Sequence, residues 1–200
     1  FGCVKYASIL MRQQRSGSIV TITSTSGLYG NPGQANYASA KSGIVGLTKV
    51  AARDLGRYGV RVNAVAPAAA TRMTMTPEVM RAREMRAQRG IKREGFGDWG
   101  EPPLEKLDPE DVAPMVVYLV SDEAVNVNGQ VFYVAGGTIS LLSQPRPIKT
   151  IFKDGFWTLD ELDGIAPATL AAGLVNPAPP QQPPAQQAPS RPSGTAPVGR

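Results

Sequence analysis

The sequence predicts an α/β protein built on a parallel sheet, and three stretches carry that expectation. "SIVTIT" (18–23) is a short β-branched run ended by a Ser/Thr/Gly cluster, the pattern of a buried strand. "NYASAKSGIVGLTKVAARDLGRY" (36–58) places Ile44, Leu47, Ala51 and Leu55 at spacings of three and four, one apolar stripe along a long helix. "VRVNAVAP" (60–67) is a second apolar strand, stopped by Pro67. Strand, loop, long helix, strand is a βαβ unit, with parallel strands and a right-handed connection.

The other elements follow in chain order. "FGCVKYASILMRQQRSGS" (1–18) reads as the later part of an amphipathic helix entering a turn, with Val4, Ala7, Ile9, Leu10 and Met11 as candidate core positions. "STSGLYGNPGQ" (24–34) is a loop by its Gly, Pro and Asn content. Gly59 is positioned to end the long helix. A further helix is expected over 76–90, and "GFGDWGEPP" (95–103) is irregular. "DPEDVAPMVVYLVSD" (108–122) begins as a helix should, with Asp108 as N-cap, Pro109 at the first helical position and acids in the first turn. "GQVFYVAGG" (129–137) is the last expected strand, and 158–175 holds one or two short helices. From Asn176 the chain is Pro, Gln, Ala and Ser, from which no core is built; a disordered tail is expected there. The expected division is therefore a domain over 1–150, a short helical extension over 151–175 and a tail over 176–200.

Composition removes several function classes. The formal charge of +5 comes with no RNA- or DNA-binding motif, so no nucleic-acid partner is expected. The absence of histidine excludes His-based triads, most zinc sites and His-ligated haem, and no metal is expected. Cys3 is the one cysteine, so no intrachain disulfide forms and a reducing compartment, the cytoplasm, is the expected location. No apolar run approaches the ~20 residues that span a bilayer. The C-terminal "PVGR" is not a peroxisomal or ER address. The first residue is Phe, not Met, and a natural start upstream is expected, with any leader outside this sequence.

Within "QANYASAKSG" (34–43), Tyr37 and Lys41 stand one helical turn apart and share a face. An ammonium beside a phenol favours the phenolate and moves the phenol toward proton exchange near neutral pH. Ala35, Ala38, Ser39, Ala40 and Ser42 leave room for a ligand against that helix. Ser24 closes the preceding strand, and in a parallel sheet the C-terminal strand ends line the ligand crevice. A hydroxyl there can hold a carbonyl oxygen while Tyr37 protonates it; Ser26 is a rival that lies further into the loop. A Tyr and a Lys at this spacing are common on ordinary helix faces, and a Ser at a strand end is commonly a cap. Their combination across a Gly-rich loop in a βαβ unit is less common.

"GSIVTITSTSGLYGNPGQANYASAKSGIVGLTK" followed by "RYGVRVNAVAP" resembles the short-chain dehydrogenases/reductases, in particular the 3-oxoacyl reductase and (3R)-hydroxyacyl-CoA dehydrogenase branch, over roughly residues 1–140. The resemblance implies a doubly wound, Rossmann-like parallel sheet and NAD or NADP as cofactor. It implies Tyr37 as general acid/base, Lys41 on the nicotinamide ribose hydroxyls and assisting Tyr37, and Ser24 orienting the substrate carbonyl or hydroxyl. Pro67 and Thr71 would face the cofactor. The substrate would be a small molecule, an acyl thioester such as a 3-hydroxyacyl/3-oxoacyl pair, and the assembly a homodimer or homotetramer. The family's Gly-rich phosphate loop, its NAD/NADP-selecting position and its catalytic asparagine have no counterpart in this sequence, so the N-terminal half of the fold is expected to be missing from it. "PAAATRMT" also puts Ala68 where the family usually has Gly, which adds a methyl at a close backbone approach. A catalytically silent piece acting only in subunit association is the competing expectation. An epimerase or dehydratase of the extended branch is disfavoured by "NPGQANYASAKSG". The basic run 81–93 could meet substrate phosphates or be a solvated helix face, and Phe96, Trp99 and Trp157 could line an apolar pocket or be core.

Overall fold

In the computed structural model, which describes residues 1–88 and 103–176, the expected βαβ unit is present. The chain runs α1 (Gly2–Gln14), β1 (Gly17–Ile22), a one-turn α2 (Ser26–Tyr29), α3 (Ala35–Gly56), β2 (Val60–Pro67) and α4 (Pro77–Gln88). It continues as α5 (Ala113–Val120), β3 (Val131–Ala135), β4 (Thr138–Leu141) and α6 (Leu159–Ile165). Residues Phe1–Gln144 form one compact unit, and a second begins at Pro145.

The sheet order is β1-β2-β3-β4. β1 and β3 both pair parallel to β2, with Gly17 opposite Val60 and Ala64 opposite Val131. β4 pairs antiparallel to β3 through a tight turn at Gly136, whose φ of 54° suits glycine. Alternation along β2 defines two faces. Val60 and Val62 pack on Ala51, Ala52 and Leu55 of α3, with Val4 and Met11 of α1 beside them. Val65 points the other way, onto Met115 and Leu119 of α5. Helices cover both faces of a mostly parallel sheet, the doubly wound arrangement.

Several elements differ from expectation for local reasons. Along α1, Val4, Ala7 and Met11 are half-buried, whereas Ile9 and Leu10 face outward. Positions 4, 7 and 11 share a stripe that 9 and 10 leave. On α3 the buried row is Val45, Thr48, Ala51, Ala52 and Leu55, while Ile44 and Leu47 are only half-buried. The stripe admits Thr48 because its hydroxyl lies 2.7 Å from the Thr21 hydroxyl and donates to the Ile44 carbonyl at 2.8 Å. β1 is half-buried, not fully buried, and Ile22 is 44% exposed. It is the end strand of the order, so one edge has no strand against it among the described residues. The expected helix over 108–122 begins as a 3-10 turn, Pro109–Val112, capped by Asp108 through the Glu110 N–H at 3.0 Å. Pro114 supplies no N–H to the preceding turn, and regular α geometry starts only at Ala113. β4 was not foreseen as a strand. Residues 89–93 of the basic run, Phe96, Trp99 and all but Asn176 of the expected tail lie outside the described residues.

Buried polar groups on the second face are satisfied. The Asn63 amide donates to the Val127 carbonyl at 2.8 Å and accepts the Gln130 N–H at 3.0 Å. Arg61 donates to the carbonyls of Leu119 and Ser121, both at 2.8 Å, and so caps the C-terminal end of α5. In the second unit Thr158 and Glu161 form a capping box on α6, and Lys153 Nζ pairs with Glu161 at 2.6 Å.

Candidate active site

The site forms where β1 ends and α3 begins. Beyond Ile22 the ladder gains one more bond, from the Thr23 N–H to the Val65 carbonyl at 2.8 Å. The fully buried Thr23 then turns its hydroxyl onto the Lys41 carbonyl at 2.8 Å. One side chain thereby fixes the strand end against the helix segment that carries Lys41. Ser24 follows directly, and its Oγ accepts the Ser26 N–H at 3.2 Å.

The loop from Ser24 to Gln34 is closed by side chains. Gln34 Oε1 accepts from the Ser26 hydroxyl at 2.8 Å and from Asn31 Nδ2 at 2.7 Å. Ser26 is therefore buried and engaged, whereas Ser24 is half-exposed at the strand end. Gly27 sits against α3 so closely that an added Cβ would lie 2.6 Å from Ser42 N and 2.7 Å from the Lys41 carbonyl carbon. The Ser42 hydroxyl donates to the Gly27 carbonyl and seals the contact.

Tyr37 lies in the first turn of α3 and is 43% exposed. Lys41 Nζ is 5.6 Å from the centre of the Tyr37 ring and donates to the Ile22 carbonyl at 3.1 Å. An ammonium with three donors is thus held between the end of β1 and the phenol ring. Tyr29, which closes α2, has its phenol pKa raised by burial. Pro67 ends β2 at the same C-terminal edge of the sheet and is half-buried. Thr71 is exposed in the following turn; its N–H donates to Thr74 Oγ1 at 2.7 Å and its hydroxyl lies 3.1 Å from the same atom. Trp157 belongs to the second unit, with Lys153 Nζ 5.3 Å from its ring centre.

The edge therefore gathers the end of β1 with Ser24, the face of Tyr37 and Lys41, and the end of β2 with Pro67. Thr23, Gly27 and Gln34 were not singled out from the sequence, although all three hold the loop in place. For Gly27 the available signal was a glycine directly after four hydroxyl residues. For Thr23 and Gln34 no local pattern pointed to their partners. Among the described residues no group of three or more His, Cys, Asp or Glu side chains is placed to hold a metal ion. No described helix is long and apolar enough to cross a membrane.

The donor set suits the nicotinamide-ribose end of a dinucleotide. Lys41 Nζ donates to one carbonyl and carries three N–H groups, the Tyr37 phenol is exposed, and both lie at the C-terminal strand edge where such ligands bind. The family model described as Enoyl-(Acyl carrier protein) reductase matches residues 1–138. A 3-oxoacyl-[acyl-carrier-protein] reductase of Thermotoga maritima is 40% identical over 129 residues, 64% of this chain and 48% of that protein. A short chain dehydrogenase from Mycobacterium avium superposes with a TM-score of 0.63 at 35% identity, over 84% of this chain and 52% of that one. The peroxisomal multifunctional enzyme type 2 of Drosophila melanogaster gives a TM-score of 0.59 at 25% identity, over 82% of this chain and 26% of that one. The chain spans about half the length of the curated relatives it matches. With its doubly wound parallel sheet and its match across residues 1–138, the chain belongs to the short-chain dehydrogenase/reductase family, in the 3-oxoacyl reductase-like branch.

Proposed function

We propose that this chain carries the proton-transfer half of an NAD(P)-dependent oxidoreductase that interconverts a ketone and a secondary alcohol. The observation that carries the reading is the placement of Lys41 Nζ between the Ile22 carbonyl and the Tyr37 ring. The bound nicotinamide supplies or accepts the hydride at carbon. In the reductive direction Ser24 donates a hydrogen bond to the carbonyl oxygen, and Tyr37 gives that oxygen the proton that completes the alcohol. Lys41 holds the ribose hydroxyls and supports the negative charge that forms on the Tyr37 oxygen. Oxidation runs the same steps in reverse. Pro67 at the end of β2 and Thr71 in the following turn would help hold the cofactor, and the reading involves no metal.

A 3-oxoacyl or 3-hydroxyacyl thioester is the substrate class we favour, supported by the Thermotoga relative whose name specifies a 3-oxoacyl group. The domain division over 1–150, 151–175 and 176–200, a cytoplasmic location and a homodimeric or homotetrameric assembly belong to the same reading. The assembly is supported by the apolar residues that α1 leaves outside, Tyr6, Ile9 and Leu10.

A second reading is a catalytically silent subunit-association module. It is favoured by those same exposed residues and by the span of about half a relative's length. Fluorescence titration with NADPH and NADH, followed by nicotinamide oxidation with a 3-oxoacyl thioester, separates the two. Saturable binding and turnover support the oxidoreductase. A flat titration supports the association module.

A further inference from the structure

We propose that Thr23 is a positioning residue for Lys41: its hydroxyl bond to the Lys41 carbonyl sets where the Lys41 ammonium stands. The inference rests on the reading above for what Lys41 does, and on the contacts at the end of β1 for how it is held. Ile22 and Thr23 are consecutive there, and they grip Lys41 from opposite ends. Thr23 Oγ1 donates to the Lys41 main-chain carbonyl at 2.8 Å. Lys41 Nζ reaches back and donates to the Ile22 carbonyl at 3.1 Å. The root and the tip of one side chain are thus bound to neighbouring residues of one strand end. A lysine stem is long and flexible, and fixing both of its ends leaves it few rotamers.

Thr23 is itself held still. It is 2% exposed, and its N–H is bound to the Val65 carbonyl at 2.8 Å. Its β-branch restricts χ1, so the direction of the hydroxyl is set by the strand. The same helix segment is pinned a second time, by the backbone approach of Gly27 and the Ser42 hydroxyl on the Gly27 carbonyl. The helix is therefore not free to turn about the Thr23 bond.

Cohesion of strand and helix does not by itself call for this bond. Two residues earlier, the Thr21 hydroxyl already meets the Thr48 hydroxyl of α3 at 2.7 Å. The Lys41 carbonyl lies inside α3, where the helical ladder serves it, and its second lone pair needs no further donor. What Thr23 adds is register, because it ties the strand end to residue 41 itself. It also stands directly before Ser24, so one residue sets the end of β1 that carries Ser24 against the root of Lys41.

The test follows the Lys41 side chain by carbon relaxation in the full chain, with lysine labelled at Cε and the signal assigned by Lys41→Arg. Thr23→Val keeps the size and the β-branch and removes the donor; Thr23→Ser keeps the donor. In the parent, Lys41 Cε should be more ordered than that of the exposed Lys106. Thr23→Val should bring it toward Lys106, and Thr23→Ser should hold it near the parent. Thr21→Val breaks a strand–helix contact of the same kind and should leave Lys41 unchanged, which a merely structural role for Thr23 would not predict. In nicotinamide oxidation with a 3-oxoacyl thioester, Thr23→Val should lower kcat/KM by about tenfold or more, the scale of a slight misplacement at a reacting site. Thr23→Ser should restore it. Tyr37→Phe measured alongside separates two failures. Parental turnover in Tyr37→Phe sinks the reaction assigned above, and the order of Lys41 then decides the role of Thr23. A Lys41 side chain equally ordered in the parent and in Thr23→Val, or a parental kcat/KM in Thr23→Val beside an inactive Tyr37→Phe, would overturn the proposal.

Discussion

Gly27 holds the loop after β1 against α3 because no side chain fits there. Its virtual Cβ meets backbone atoms of Lys41 and Ser42, which cannot swing aside as a flexible side chain would. Gly27→Ala should therefore destabilise the first unit by about 1–3 kcal/mol, the usual range for overpacking, as urea denaturation would measure. An unchanged midpoint would show that the loop moves freely. The residues proposed to bear chemistry were readable as candidates because their spacing is local. Tyr37 and Lys41 share a helical face whatever the tertiary structure, and Ser24 closes a β-branched run. Thr23 was not readable, since its role lies in a bond to a carbonyl far along the chain. Gln34 was hidden in the same way, as the acceptor that gathers Ser26 and Asn31.

Among the elements, α6 shows how a helix start couples to pH. Glu161 accepts from Lys153, from the Thr158 N–H and from the Thr158 hydroxyl, and these bonds lower its carboxyl pKa below the ordinary value, the Lys153 bond most. A depressed carboxylate contributes stability that is complete above its unfolded pKa and is lost as pH falls through the folded one. The start of α6 should accordingly loosen in acid, below the ordinary glutamate range. The Thr158 amide resonance followed against pH should show that transition, and Glu161→Gln should abolish it. Amphipathic periodicity located α1 and α3, yet it missed which flank of each stripe faces the sheet. That choice is made by the packed partner, as Thr48 shows by meeting Thr21. β4 escaped because four residues of mixed polarity carry almost no periodic signal. Its pairing depends on the Gly136 turn and on β3 beside it.

At the scale of the whole molecule, the first unit exposes apolar groups along α1 and at the outer edge of β1 among the described residues. Leu10 is 61% exposed, and Tyr6 and Phe1 are more so. Exposed apolar groups of this kind favour association. Leu10→Lys should lower the weight-average mass at high protein concentration in sedimentation equilibrium, with little change in unfolding temperature because most of the Leu10 side chain is already exposed. Equal self-association in the variant would place the contact elsewhere. The doubly wound architecture was legible in outline from one βαβ unit and the motifs around it. What lies beside β1 was not legible, because a strand's own sequence does not state its neighbours.

All of the chemistry assigned to this chain depends on Tyr37 delivering a proton to a carbonyl oxygen. Its most direct test is steady-state nicotinamide oxidation with a 3-oxoacyl thioester, comparing the protein with its Tyr37→Phe variant. Loss of the hydroxyl should lower kcat by about 100-fold or more, the range for removal of a general acid, with KM close to that of the parent. A phenylalanine variant that turns over as fast as the parent would contradict the account.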